Sequence, residues 1–372
     1  MSERYSTPEA RRAVTVGSAT VDIITVVADQ DIERITATNV EASFLLLEQG
    51  RKIEAESISI HPGGGAVNAG VCFARLGFAV APLVKLGRDH NAGMVLENFA
   101  AEGLEERLVR RSDRLGTGIA VMVASHDRNA TIFTFRGANT DIRPEDVPAD
   151  AFAGSDVVHV SGLSNQSADC YPEIVARARR AGCFVSNNPG IRQLTSRRDT
   201  FFAALRDIDL LIVNRVEAEA LVPALGARGA RLGAMPDSPS DLPTLARRGL
   251  VGNGYHVGLV DFMAAVHGAG PRFVSITDGT DGAYLSVEGA LFFCPPKPVE
   301  TAGTAGAGDA FAASLAADLV AGASPEDALR TAAVNAAAVV QVIDTQSSLL
   351  TRKMLDAELA GAPPDFRARR LL

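Results

Sequence analysis

The chain has 372 residues, 47% hydrophobic and 22% charged, with a formal net charge of −8. That acidic balance excludes nucleic acid as the main partner, because phosphate backbones are bound by basic surfaces, but it leaves room for a small anionic substrate in a local pocket. No stretch has the ~18 apolar residues a membrane span needs, and Cys72, Cys170, Cys183 and Cys294 lack CxxC spacing, so a disulfide framework or zinc site is not indicated and a cytoplasmic protein is expected.

Residues 1–12 are polar and read as a loose N-terminal segment. Ala13 to Val27, AVTVGSATVDIITVV, places β-branched runs on either side of Gly17-Ser18, which predicts a strand, a break and a second strand. Asp22 is the sole acid of the second run; it either faces solvent from one sheet face or meets a ligand, since an unpaired buried charge is costly. Within 35–60, SFLLLEQ and ESISI are extended pieces suited to a small sheet standing off the body as a lid, joined by part of 105–135. HPGGGAVNAGVCFARLG, from His61 to Gly77, runs three glycines into a helix. Gly64, Gly65 and Asn68 in its first turn are candidates for close backbone approach to a ligand.

Further on, 118–124 and 130–135 read as a strand pair, and Arg136-Gly137-Ala138-Asn139 as a turn. From Asp156 apolar strands alternate with amphipathic helices, which predicts a parallel sheet covered on both faces. Ligands collect at the carboxyl ends of such strands, a rule that selects Ser186–Asn188 and Asn214. Asn214 and Glu217 are three apart at a strand-to-helix transition; the pair suits a hydrated magnesium, or else an N-cap with a capping-box Glu. The Gly-, Pro-, Ser- and Arg-rich segment 226–257 reads as an insertion. TDGTDG, with Thr277, Gly279 and Gly282, follows a strand and forms either a nucleotide-facing turn or an ordinary hairpin. In GTAGAGDAF, Gly306, Ala307 and Gly308 precede Asp309 at a helix start. Bare amides there favour a phosphate. Asp309 is then either a helix cap or a base that takes a proton from an attacking hydroxyl. Residues 351–372 read as a C-terminal tail.

Taken in order, the early Asp, GGGAVN, RGAN, NRVE, TDGTDG and GAGDAF resemble the motifs of the PfkB carbohydrate kinase family, also called ribokinase-like, from Val14 to roughly Leu350. The resemblance implies an α/β three-layer fold over 13–350, with a central mostly parallel sheet flanked by helices and a small β-sheet lid. It implies an ATP- and Mg2+-dependent kinase acting on a hydroxyl of a small sugar. Asp309 matches the catalytic base and Gly306, Ala307 and Gly308 the anion hole. Asp22, Gly64, Gly65 and Asn68 fall in the sugar-binding motifs, and Asn139 lies where sugar contacts also occur. Asn214 and Glu217 match the element that organises magnesium and phosphate; Thr277, Gly279 and Gly282 match the nucleotide loop, and Asn335 lies in the helix flanking adenine. Related kinases often dimerise through the lid, so a homodimer is expected. Gly303 stands where many relatives carry an acid of a monovalent-cation site, which puts potassium activation in doubt. The alternatives are a nucleoside kinase of the same fold, which would need aromatic stacking partners in a chain with no Trp and four Tyr, and a non-catalytic sugar-binding regulator. A dinucleotide oxidoreductase should carry GxGxxG after the first strand, and that fingerprint is absent.

Overall fold

The computed structural model describes residues 10–28, 33–37, 42–46, 50, 52–124, 130–230 and 241–372. A nine-stranded sheet runs in the order Arg369–Arg370, Ala290–Cys294, Ala283–Val287, Phe273–Thr277, Leu210–Asn214, Phe184–Asn188, Val157–Ser161, Arg12–Val16 and Ala79–Leu83. Pairing is parallel from Phe273–Thr277 to Ala79–Leu83 and antiparallel across the rest. The parallel strands are apolar on both faces because both are covered. In Leu210–Asn214, Leu210 and Ile212 enter one core and Leu211 and Val213 the other. The first core lies against the helices Gly65–Arg75, Ala307–Val320 and Pro325–Val339, and the second against Tyr171–Arg180, Arg215–Ala227 and Leu259–Ala269. Ala307–Val320 is lined with buried alanines, Ala310, Ala312, Ala313, Ala316 and Ala317, which let neighbouring helices approach closely.

The break at Gly17-Ser18 moves the chain from this sheet to another. Thr20–Val27 joins a four-stranded sheet in the order Ala130–Phe135, Gly118–Ala124, Thr20–Val27 and Ala55–Gly63. Gly17 is required at the crossing: its φ is 153°, and a Cβ would lie 2.0 Å from Ser161 Oγ. The small sheet therefore draws its core strand from 20–27, outside the 35–60 and 105–135 stretches that suggested it. Within 35–60, Glu33–Ala37 and Ala42–Leu46 pair as a separate hairpin, and 38–41, 47–49 and 51 lie outside the described residues. Ile23, Ile60, Val121 and Phe133 are matched across the strands, so they share one face. Asp22, opposite His61 and Ala120, takes the other.

Two sequence-level boundaries look different in three dimensions. The stretch 351–372 packs onto the body: Leu355 and Phe366 are buried, and Arg369–Arg370 pairs with Phe292–Phe293 as an edge strand. In 226–257, residues 231–240 lie outside the described residues, as do 1–9 at the N-terminus. The remainder includes a short helix, Thr244–Arg248, and a hairpin, Leu250–Gly252 with Tyr255–Val257. The hairpin lies so close to the helix Arg215–Ala227 that a Cβ on Gly252 would meet Glu219 O at 2.1 Å.

Candidate active site

The helix Ala307–Val320 follows its N-cap Gly306, whose φ of 78° is left-handed, and no side chain caps it. A glycine N-cap has no side-chain oxygen to give the first amides, so they stay available, while Gly306 O accepts from Ala310 N at 2.9 Å. A Cβ added to Gly308 would meet nothing within 4 Å, so this backbone faces open space. Asp309, in the first turn, does not cap the helix; Asn68 Nδ2 donates to its Oδ2 at 2.8 Å. Asn68 is oriented in turn, because its Oδ1 accepts from Thr345 Oγ1 and Gln346 Nε2, both at 2.9 Å. The amide therefore presents its NH2 to Asp309. Burial pushes the Asp309 carboxyl above its ordinary range, and the Asn68 bond opposes that rise.

Asp309 lines a cavity of about 280 Å³ at the carboxyl ends of the parallel strands, with Ser18, Gly65, Ser161, Asn188 and Glu217. Gly65 is close enough that a Cβ would lie 3.3 Å from Asp309 Oδ1. A second cavity of about 520 Å³ is bounded by Asn214, Glu217, Thr277, Gly279 and Asp281, and Ile191 and Glu217 line both. Asn214 and Glu217 form a reciprocal cap: Glu217 N donates to Asn214 Oδ1 and Asn214 N to Glu217 Oε2, each at 2.9 Å. The capping arrangement and the site placement thus coexist in one residue. Burial, with a contribution from the charge of Asp309, raises the Glu217 carboxyl to about 7, against the opposing Asn214 bond. Among the described residues no three His, Cys, Asp or Glu side chains cluster as a metal cage. Gly279–Asp281 turns between Phe273–Thr277 and its antiparallel neighbour Ala283–Val287, so TDGTDG is a hairpin turn that also lines the larger cavity. Gly282 is not in that lining; it packs against Cys294 O, 2.5 Å from where a Cβ would stand.

Asp22 does not face solvent: it is 7% exposed, accepts from Thr20 Oγ1 at 2.8 Å, and its carboxyl is raised chiefly by burial and further by Asp309. Gly64 is the helix N-cap at φ 96°, and a Cβ there would lie 2.6 Å from Ser18 O. Asp22, Gly64, Asn68, Gly306, Ala307, Gly308, Asn139 and Asn335 line neither cavity. Asn139 exchanges both ends of its amide with the backbone of Ala19, at 2.8 and 2.9 Å. Ser18, beside it, accepts from Gly65 N at 3.0 Å, so Asn139 ties the RGAN turn to the glycine loop. Asn335 is fully buried, donating to Ser314 Oγ and Cys72 Sγ and accepting from Leu350 N. Each amide thus has hydrogen-bond partners within the fold.

Sequence reasoning missed Arg136, Arg192, Ser161, Thr345 and Gln346. Arg136 reads in sequence only as a turn residue, and Arg192 follows Asn188 by four residues in NNPGIR. The strand-end rule that selected Asn188, extended one turn further, would have reached it.

The model for the pfkB family carbohydrate kinase matches residues 13–352. The chain is 26% identical over 341 residues to 2-dehydro-3-deoxygluconokinase of Bacillus subtilis, covering 89% of this chain and 96% of that protein. To deoxyribokinase of Salmonella typhi it is 26% identical, over 87% of this chain and 94% of the relative. Its fold matches Arabidopsis thaliana ribokinase, solved with ribose and ATP, at a TM-score of 0.70 and 22% identity, over 95% of this chain and 100% of the other. The chain belongs to the pfkB family of carbohydrate kinases and is a phosphotransferase that takes a sugar hydroxyl as acceptor.

Proposed function

We propose that this kinase moves the γ-phosphoryl group of ATP to a hydroxyl of a small sugar held in the smaller cavity, with Asp309 as the base. The observation that carries this reading is the placement of Asp309: an acid in the first turn of a helix that it does not cap, facing the cavity and aimed by Asn68. The hydroxyl oxygen forms a bond to the γ-phosphorus while the bond from that phosphorus to the β–γ bridging oxygen breaks. The hydroxyl proton passes to the Asp309 carboxylate, and ADP leaves. The uncapped amides at Gly306–Gly308 fit the charge on the transferring group, and the larger cavity, with Thr277 and Gly279, fits the nucleotide. Glu217, in the lining of both cavities, with Asn214 beside it, suits a water-coordinated Mg2+. When bound, that ion would neutralise charge on the phosphates.

Asp22 and the Gly64–Asn68 turn would contact sugar hydroxyls, with the small sheet acting as a lid. The lid face that carries Ile58, Ile60 and Phe133, each more than half exposed, would pack on a second copy of the chain to form a homodimer. No described helix is long and apolar enough to cross a membrane. Among the described residues no aromatic ring lines the smaller cavity, which speaks against a nucleoside base as the acceptor's anchor. ADP release measured with Mg2+ and ATP over pentoses, hexoses, keto-deoxy acids, sugar phosphates and nucleosides tests the reading. At least one sugar should turn over, and silence across the panel would overturn it.

A further inference from the structure

We infer that the sugar phosphorylated here carries an anionic group, a carboxylate or a phosphate, that docks against Arg136 and Arg192. The inference rests on the kinase reading of this same site. The smaller cavity has four ionisable side chains in its lining: Asp309, Glu217, Arg136 and Arg192. The two acids have assigned partners or work. The two guanidiniums have neither, and among the described residues neither makes a hydrogen bond or an ion pair. They also feel each other: Arg136 is drawn below its ordinary range first by burial and then by the charge of Arg192. Two unneutralised guanidiniums at one cavity, in a chain of net charge −8, form a local cationic site with which none of the described residues makes an ion pair.

The backbone holds them there from distant parts of the chain. Arg136 ends the small-sheet strand Ala130–Phe135 and begins the turn Gly137–Thr140. That turn is fixed by Ala138 N donating to Gly116 O at 2.8 Å and by the Asn139–Ala19 clamp. Gly137 has φ 52°, and a Cβ would lie 2.1 Å from Gly116 O, so no other residue fits. Arg192 lies on the short helix Ile191–Ser196, which the neighbouring Gln193 anchors by accepting from Leu163 N at 3.1 Å. Arg136 is half-buried and Arg192 exposed at the mouth. Planar guanidiniums match carboxylate and phosphate oxygens in pairs, and a site built for a charged partner discriminates strongly against an analogue lacking it.

The competing assignment is that these arginines serve the nucleotide's phosphates, since Ile191, next to Arg192, lines both cavities. Kinetics separate the two. A keto-deoxy sugar acid and a sugar monophosphate are each compared with an uncharged sugar of the same chain length, in the wild type and in R136Q and R192Q. One of the charged sugars should exceed its uncharged counterpart in kcat/KM by about 100-fold, and which one identifies the group. Each variant should raise the KM of that sugar by about tenfold or more and collapse the preference. R136K, which keeps the charge, should recover part of it. Equal efficiency for charged and uncharged sugars, or a rise confined to the KM for ATP, would overturn the inference while leaving the kinase reading intact. If no sugar turns over, the kinase reading fails, and calorimetric titration of the same compounds without ATP still decides the anion site. Tighter binding of a charged sugar that R136Q abolishes supports it, and equal binding overturns it.

Discussion

Two helices in this protein begin alike in sequence and differently in space. Arg215–Ala227 and Ala307–Val320 each carry an acid as the third helical residue, Glu217 and Asp309. At the first, the N-cap is Asn214, and amide and carboxylate exchange hydrogen bonds with each other's backbone. At the second, the N-cap is Gly306, which has no side chain to reciprocate, and the carboxylate instead accepts from a different helix through Asn68. An acid at this position completes a cap when the N-cap residue can answer it. When that residue is glycine, the acid and the helix amides are both left for something else.

The sharpest way to break this contrast is Asp309→Asn. With no cap lost, melting temperature should hold or rise, because burial disfavours the ionised carboxyl. Turnover should fall by about 1,000-fold, within the range for removing a general base, with ATP binding kept. A variant of full activity would falsify the assigned base.

Glu217→Gln probes the other helix, where glutamine can still complete the capping box. Activity should drop about 10- to 100-fold, with a higher Mg2+ requirement, if the carboxylate organises the ion. Its stability should change in a defined direction with pH. The Glu217 pKa is raised from 4.5 to about 7 on folding, so the folded state holds more protons than the unfolded one between those values. The contribution is fully present below 4.5 and is lost as pH rises through 7. The difference in unfolding free energy, wild type minus Glu217→Gln, should therefore fall with pH across that window. A flat difference would mean that Glu217 is solvated as in the unfolded chain.

Asn68→Ala removes the donor that holds the Asp309 pKa down. A base works only when deprotonated, so the acid limb of the kcat/KM profile should move to higher pH. An unmoved limb would put the titration elsewhere.

How much of this contrast the sequence carried depends on how local each part is. The strands were legible because a run such as Leu210–Asn214 must feed two cores, and the glycine turns because no Cβ fits at Gly17 or Gly64. GAGD and NRVE were legible as acids at helix starts, but whether each acid caps depends on the residue before it and on what approaches from elsewhere. The Asn68 amide is aimed by Thr345 and Gln346, separated from it by most of the chain. Asn139 and Asn335 look like free polar groups in sequence, and only their tertiary partners, Ala19, Ser314 and Leu350, use them up. Asp22 is similar: its alternating strand permits either face, and the choice is made by pairing with His61 and Ala120.

Asn214→Ala is the smallest change and the one that isolates capping. It removes the acceptor for Glu217 N and leaves the Glu217 carboxylate still able to accept from the backbone of residue 214. Half of the cap is lost, so stability should fall by about 1 kcal/mol in denaturant titration. Asn214→Ser keeps a hydroxyl acceptor at the N-cap and should recover most of that loss. Activity adds a second reading. If Asn214 serves only the helix, kcat/KM follows stability and serine restores both. If its amide also orders groups in the larger cavity, which it lines, serine restores the melt and leaves kcat/KM low. The second outcome would make the capped helix start a working part of the site, narrowing the contrast with Asp309 to the source of each acid's partner.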